Sequence, residues 1–178
     1  MSNDIFRNKY RIPSARAEWH HYNIGYYFIT ICTDKRVHYF GEIINKEMIL
    51  SKIGIFADAY LKDLHLFCDD VAVLSHVVMP NHIHMIIAVD RYYKENKKIN
   101  VDGDVNEMMQ HIANKCGRLS HIISRFKSFI TKYARDNDIP FMWQSRFHDR
   151  IIRDYAEFIT KEHYINNNIC KWEEDEYA

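Results

Sequence analysis

Val77-Val78-Met79-Pro80-Asn81-His82-Ile83-His84-Met85-Ile86-Ile87 is the stretch on which the reading of this chain turns. Apolar, β-branched residues flank a Pro-Asn step, which reads as two strands joined by a tight turn. Side chains alternate across a strand, so His82 and His84 share one face while Ile83 points the other way. Two imidazoles on one face can hold a single metal ion, and neutral imidazole is a common metal ligand. An HxH pair recurs in unrelated proteins, so its meaning depends on its neighbours along the chain.

Working outward, Tyr22 to Thr33 is rich in Tyr, Phe, Ile and Thr and reads as a strand. Residues 37–50 read as a second strand and a return, with Gly41 and Asn45 as turn signals. Ser51 is placed to cap a helix over about 52–66, whose apolar side carries Ile53, Phe56, Ala57, Tyr60, Leu61 and Leu64. Strands at Val71–Met79 and His82–Val89 follow. Residues 91–116 are polar and without clear period, and are expected to form a long mobile loop. Ile122, Phe126, Phe129, Ile130 and Tyr133 predict a helix over roughly 118–136, and Pro140 forbids much extension. A short strand is expected at 147–152, then a helix opened by Asp154 and Glu157 in a capping-box pattern. The order β-β-α-β-β-α-β-α predicts an α+β sandwich: a mostly antiparallel sheet packed on one face by helices.

A chain of 178 residues fits one domain by the usual prior of ~100–200 residues. With 47% apolar residues, 12 Tyr and 10 Phe, the composition is that of a folded globule. Cys32, Cys68, Cys116 and Cys170 are scattered, with no CxxC pair, which argues against a zinc ribbon and suits a reducing cytoplasm. No apolar stretch is long enough to cross a bilayer, so a soluble protein with no membrane partner is expected. Net charge is zero, yet from Lys115 to Arg153 nine Lys or Arg stand against three Asp, a local excess of six. Such a field can bind phosphates, although a solvated charged face would have the same composition.

Phasing the last helix puts Tyr155, Phe158, Ile159, Glu162, Ile165 and Ile169 on one, mostly apolar, side. Glu157, Thr160, Lys161, Tyr164 and Asn168 fall on the other, so Tyr164 lies off the core stripe with Asn168 one turn beyond it. That face offers a hydroxyl nucleophile and an amide oxygen side by side. Tyr133 to Asn137 repeats the spacing, but Tyr133 lies on its helix's apolar stripe.

Four segments taken in order resemble the single-tyrosine HUH transposases, nearest the REP-associated tyrosine transposases. They are Tyr10-Arg11-Ile12-Pro13-Ser14-Ala15-Arg16, Tyr26 to Thr33, Met79-Pro80-Asn81-His82-Ile83-His84, and Trp143 to Arg153. The resemblance runs from residue 10 to about 172 and implies a single domain over 1–178 with a ferredoxin-like sandwich. It further implies an N-terminal arm (1–20), a C-terminal helix carrying the tyrosine and an acidic tail (171–178). It implies Tyr164 as the nucleophile, with His82, His84 and the side chain of Asn168 as ligands of Mg²⁺ or Mn²⁺. Relatives of this kind usually follow the amide residue with proline, whereas this chain has Ile169. The implied reaction cleaves and rejoins hairpin-bearing single-stranded DNA through a 5′-phosphotyrosine, and the implied partner surface is basic. Arg118, Arg125 and Lys132 recur every seven residues, and Lys127, Arg146, Arg150, Arg153, Arg11 and Arg16 are further candidates. Whether a homodimer forms, with the tyrosine acting within its own chain or across to a partner, stays open. Two other readings also stay open: a module that binds hairpin DNA without cutting it, and a hydrolase in which the pair binds zinc and activates water.

Overall fold

The structure, a computed structural model, describes residues 24–90 and 106–174 and the two-residue pieces 5–6 and 9–10, with side chains described over 24–90 and 117–174. A short ribbon pairs β1 (Ile5–Phe6) with β2 (Lys9–Tyr10). The central strand is β3 (Ile24–Cys32), whose last six residues are all buried, as expected of a strand paired on both edges and covered on both faces. It is flanked by β7 (His82–Asp90) and β8 (His148–Ile152), and β6 (Val71–Val78) pairs with β7 beyond it. Every pairing is antiparallel, in the order β6-β7-β3-β8.

The α-helices among the described residues are α1 (Lys52–Lys62), α2 (Leu64–Phe67), α3 (Asn106–Asp136) and α4 (Tyr155–Asn167). α1 carries the chain from β3 to β6, and α3 carries it from β7 to β8. Both pack on the same face of the sheet, which makes the ferredoxin-like sandwich. Alternation decides what each face holds. Tyr27, Ile29 and Ile31 of β3 and Ile83, Met85 and Ile87 of β7 point to α1 and α3, where Ile53, Leu61, Ile122, Phe126 and Ile130 meet them. Burying each such side chain contributes about 1.5–3 kcal/mol. On the opposite face Phe28, Ile86 and Ile152 pack against Ile165 of α4.

The turn between β6 and β7 is held from outside. The Asn81 carbonyl accepts from the Thr33 N–H and hydroxyl, each at 2.9 Å, and the Pro80 carbonyl accepts from the Phe40 N–H at 3.0 Å. Ser51 caps α1 by accepting from the Gly54 N–H at 3.1 Å. The expected strand and return over 37–50 form as β4 (Gly41–Ile44) and β5 (Glu47–Leu50), but as a ribbon of their own outside the main sheet. Asn45 and Lys46 turn between them with φ of +53° and +64°, the left-handed pair that tight hairpins favour.

Residues 106–116, expected to be loop, are helical, while 91–105 lie outside the described residues. Gly117 breaks α3 at φ +68° and ψ 149°, a conformation suited to glycine, so α3 is two helical pieces joined at a kink. Just beyond, Arg118 makes a bidentate pair with Asp70, both contacts at 2.5 Å, tying the second piece to the start of β6. Asp70 is buried, so the guanidinium that was a DNA-contact candidate instead neutralises an internal charge. Ile169–Glu174 form a 3₁₀ run in which Trp172 is half-buried and Glu173 and Glu174 are exposed, and 175–178, the rest of the expected acidic tail, lie outside the described residues. Among the described residues no helix is long and apolar enough to cross a membrane.

Replacing Arg118 leaves Asp70 buried and uncompensated, and breaking such a pair from one side typically costs ~3–5 kcal/mol. Arg118→Met is expected to lose about that much in urea unfolding; a change below ~1 kcal/mol would show the pair to be unimportant for the fold.

Candidate active site

The β3–β7 register sets Thr30 opposite His84 and Cys32 opposite His82, on the face away from α1 and α3. Both histidines are buried, at 0% and 1% exposure. His82 Nδ1 lies 2.8 Å from Asn81 Oδ1; an amide oxygen only accepts, so Nδ1 carries the proton and Nε2 keeps its lone pair. His84 Nδ1 lies 2.8 Å from the Thr30 hydroxyl. The two Nδ1 atoms are thus occupied by second groups that fix the rings, an arrangement typical of metal-binding histidines. The rings stand 4.5 Å apart at 68°. Burial, helped by the charge of Arg36, pushes the His82 pKa down to about 3, so the ring is neutral at ordinary pH.

α4 brings the tyrosine to this face. Its N-cap Asp154 accepts from the Glu157 N–H at 2.8 Å. The return arm of the expected capping box reaches one residue further back: Glu157 accepts from the Arg153 N–H at 3.1 Å and from Arg150 Nε at 2.6 Å. Those contacts hold the Glu157 carboxyl below its usual pKa. Ile165, 1% exposed, anchors the far end of the helix on the sheet. Next to it, Tyr164 is 38% exposed and its hydroxyl lies 3.3 Å from His84 Nε2.

The phenol ring meets His84 edge-on, with centroids 5.1 Å apart, and Phe28 at 5.9 Å. Phe28 in turn stacks on His84 at 5.2 Å. The half-buried Lys161, one turn before Tyr164, places its ammonium 4.7 Å from the Phe28 centroid and 5.9 Å from that of Tyr164. Asn168 caps the C-terminus of α4 and is buried despite its amide, at 3% exposure. The chain continues directly into the 3₁₀ run through Ile169, the Asn168 carbonyl accepting from Lys171 N–H at 3.1 Å. That run stacks Trp172 on His82, with centroids 6.1 Å apart.

The two adjacent imidazoles, with a phenol hydroxyl beside His84, are donors of the kind that suit a divalent cation. Among the described residues no cluster of three His, Cys, Asp or Glu is found. The other sequence candidates are dispersed. Arg125 donates to the Phe67 carbonyl at 3.3 Å, and Lys127 to that of Gln144 at 2.5 Å. Arg150 is ion-paired with Glu157 and Lys132 with Asp136, and all of Lys132, Arg146, Arg150 and Arg153 are exposed. Arg11 and Arg16 lie outside the described residues. His76 pairs with Asp58 at 2.9 Å on the α1 side, away from the site, and His148 shares the cross-strand row of Thr30 and His84 at the open edge of β8. The sequence reading missed Thr30, Asn81, Phe28, Lys161 and Trp172. Strand alternation could have flagged Thr30 and Phe28, but nothing local marks Trp172.

The molecule is therefore a ferredoxin-like α+β sandwich bearing a buried histidine pair and a helix-borne tyrosine on the face opposite α1 and α3. The chain is 32% identical over 160 residues to an uncharacterized protein from Haemophilus influenzae, covering 88% of each, and it belongs to that protein's family. No family model matches it. Among solved structures it is similar to a REP-associated tyrosine transposase bound to a REP hairpin. The TM-score is 0.53 at 17% identity, over 89% of this chain and 74% of that one, a likeness of fold.

Holding His82 neutral has a thermodynamic signature. Its folded pKa lies below the ordinary value of ~6.5, so between pH ~6.5 and about 3 the unfolded chain binds a proton that the folded one does not. Stability from this residue is complete above pH ~6.5 and declines by up to ~1.4 kcal/mol per unit below it. With chelator present, unfolding free energies at pH 7 and 5 are expected to differ less in His82→Gln than in the parent. Equal differences would show His82 to be solvated.

Proposed function

We propose that this protein cuts and rejoins single-stranded, hairpin-bearing DNA through a covalent tyrosine intermediate. The observation that carries this is the 3.3 Å approach of the Tyr164 hydroxyl to His84 Nε2, within one chain. It supports action in cis, a monomer needing no partner helix. His82, His84 and the Asn168 side-chain oxygen would hold Mg²⁺ or Mn²⁺, which when bound supplies positive charge for the non-bridging oxygens of one phosphate.

The remaining chemistry belongs to the side chains. The Tyr164 oxygen attacks phosphorus, the bond to the 3′ oxygen breaks, and the 5′ end stays on the tyrosine. One proton leaves the phenol and one proton ends on the released 3′ hydroxyl, so the exchange is balanced and reversible without a further energy source. Thr30 and Asn81 hold the imidazoles in one orientation. Lys161 brings a half-buried cation beside the nucleophile, where it favours an anionic group. The likeness to a transposase bound to a hairpin supports the choice of substrate.

Incubating the protein with a hairpin-bearing single-stranded oligonucleotide and Mn²⁺ is expected to give a covalent adduct that Tyr164→Phe abolishes. Cleavage that survives Tyr164→Phe would favour the hydrolase, and tight binding with no adduct would favour a DNA-binding module. Thr30→Val removes the group that orients His84, and loss of such a contact weakens metal affinity by ~10–100-fold. Manganese titration followed by electron paramagnetic resonance should show that loss; an unchanged affinity would show that Thr30 does not orient a metal ligand.

A further inference from the structure

On the far side of the sheet, α3 and the segment entering β8 enclose an open groove of about 470 Å³. Its floor is one stripe of α3, at Ser120, Ser124, Ser128, Thr131 and Arg135, spaced by three or four residues so that all face the same way. The serines and Thr131 keep most of that floor low, Arg135 closes one end, and Lys127 and Lys132 stand along its sides. Ser145 and the half-buried ring of Phe147 form the opposite wall. No carboxylate is among the lining residues. Asp136 sits beyond one end, 3.9 Å from Lys132 and 3.6 Å from Arg135, in exposed contacts of the kind that contribute little.

The groove is built rather than incidental. Lys127 donates to the Gln144 carbonyl at 2.5 Å, and Trp143 Nε1 donates to the Lys127 carbonyl at 3.1 Å, locking the wall to the helix. The hydroxyls of Ser128 and Thr131 now donate along their own helix, at 2.8 and 2.9 Å, and rotation about χ1 can redirect each one.

A small anion is gripped by donors that converge on a point. Here the cations are strung out along the helix axis, which suits a polyanion. From Ser120 to Arg135 the floor runs about 22 Å at ~1.5 Å per residue, and its cations, Lys127 to Arg135, cover about 12 Å of that, the length of three to four nucleotides of stacked strand at ~3.4 Å each. An aromatic wall beside cations is also how nucleic-acid strands are commonly held. β8 is the edge strand between the groove and the Tyr164 face, and its exposed His148 and Arg150 mark the way around.

We infer that this groove seats the sugar-phosphate backbone of the DNA strand at a distance from the bond that is cut, the strand passing over the β8 edge. The identity of the polyanion rests on the proposed function. The test is fluorescence anisotropy of a labelled hairpin-bearing oligonucleotide over a salt series, comparing the parent with Lys132→Gln/Arg135→Gln. Both residues are exposed, and Lys52→Gln on α1 serves as a control for general charge.

The double variant is expected to bind about tenfold more weakly, with a salt slope lower by about two phosphate contacts, while Lys52→Gln matches the parent. An unchanged affinity and slope in a parent that binds DNA would overturn the groove and leave the cleavage reading standing. A loss per charge removed equal to that of Lys52→Gln would also overturn it, as a general charge effect. Retained groove dependence in a protein that forms no tyrosine adduct would support the groove and sink the cleavage reading. A parent that binds no DNA would overturn both.

Discussion

The register between β3 and β7 is the constraint on which the rest of this molecule depends. Thr30 faces His84 and Cys32 faces His82 because nine consecutive residue pairs match between the two central strands. A slip of one residue would turn every side chain over. The histidines would then enter the apolar layer under α1 and α3, and Ile83 and Met85 would face α4. The register is strongly specified because one face of each strand is made of large apolar residues with a packed partner layer. A purely hydrophobic preference on one face thus fixes the placement of polar atoms on the other.

That division of labour explains why the two faces differ so much in composition. The α1/α3 face is ordinary core. The α4 face carries a small apolar cluster around Phe28, Ile86, Ile152 and Ile165, and its remaining area goes to imidazoles, a threonine hydroxyl and an amide. Burying such groups is costly unless they are hydrogen-bonded, and the contacts from Thr30 and Asn81 meet that requirement at Nδ1 of each ring. α4 is correspondingly a weak core helix, with Ile165 its single fully buried residue and Tyr155, phased to the apolar side, 76% exposed. It is held by its cap at Asp154 and by the packing of Phe158 and Ile165 on the sheet, and Lys161 and Tyr164 of the same helix lie beside Phe28 and His84.

What was legible in the sequence was whatever depends on short-range pattern. The two central strands, the turn at Pro80-Asn81 and the cap at Asp154 all follow from spacing, whereas the phase of the last helix holds only in part: Ile165 is buried as phased, but Tyr155 is exposed and Asn168, phased to the polar side, is buried. The misread features depend on contacts far apart in sequence. Arg118 reads as a surface cation until Asp70, forty-eight positions earlier, is folded against it. The early part of α3 lacks a clear apolar period before its Gly117 kink, so it reads as loop. Trp172 sits in an acidic segment that looks solvated, yet it lies flat against His82. The sequence likewise shows basic residues without showing which of them line a groove, because that depends on how residues 143–147 fold back onto α3.

The central claim is that a phenol and two imidazoles converge on one cation-binding point within a single chain. Anomalous diffraction from crystals soaked in Mn²⁺ tests it most directly. The account predicts one strong peak bonded to Nε2 of both His82 and His84, with the Asn168 side-chain oxygen beside it and Tyr164 of the same chain next to it. A peak elsewhere, or an ion at the histidines with Tyr164 turned away toward solvent, would contradict it.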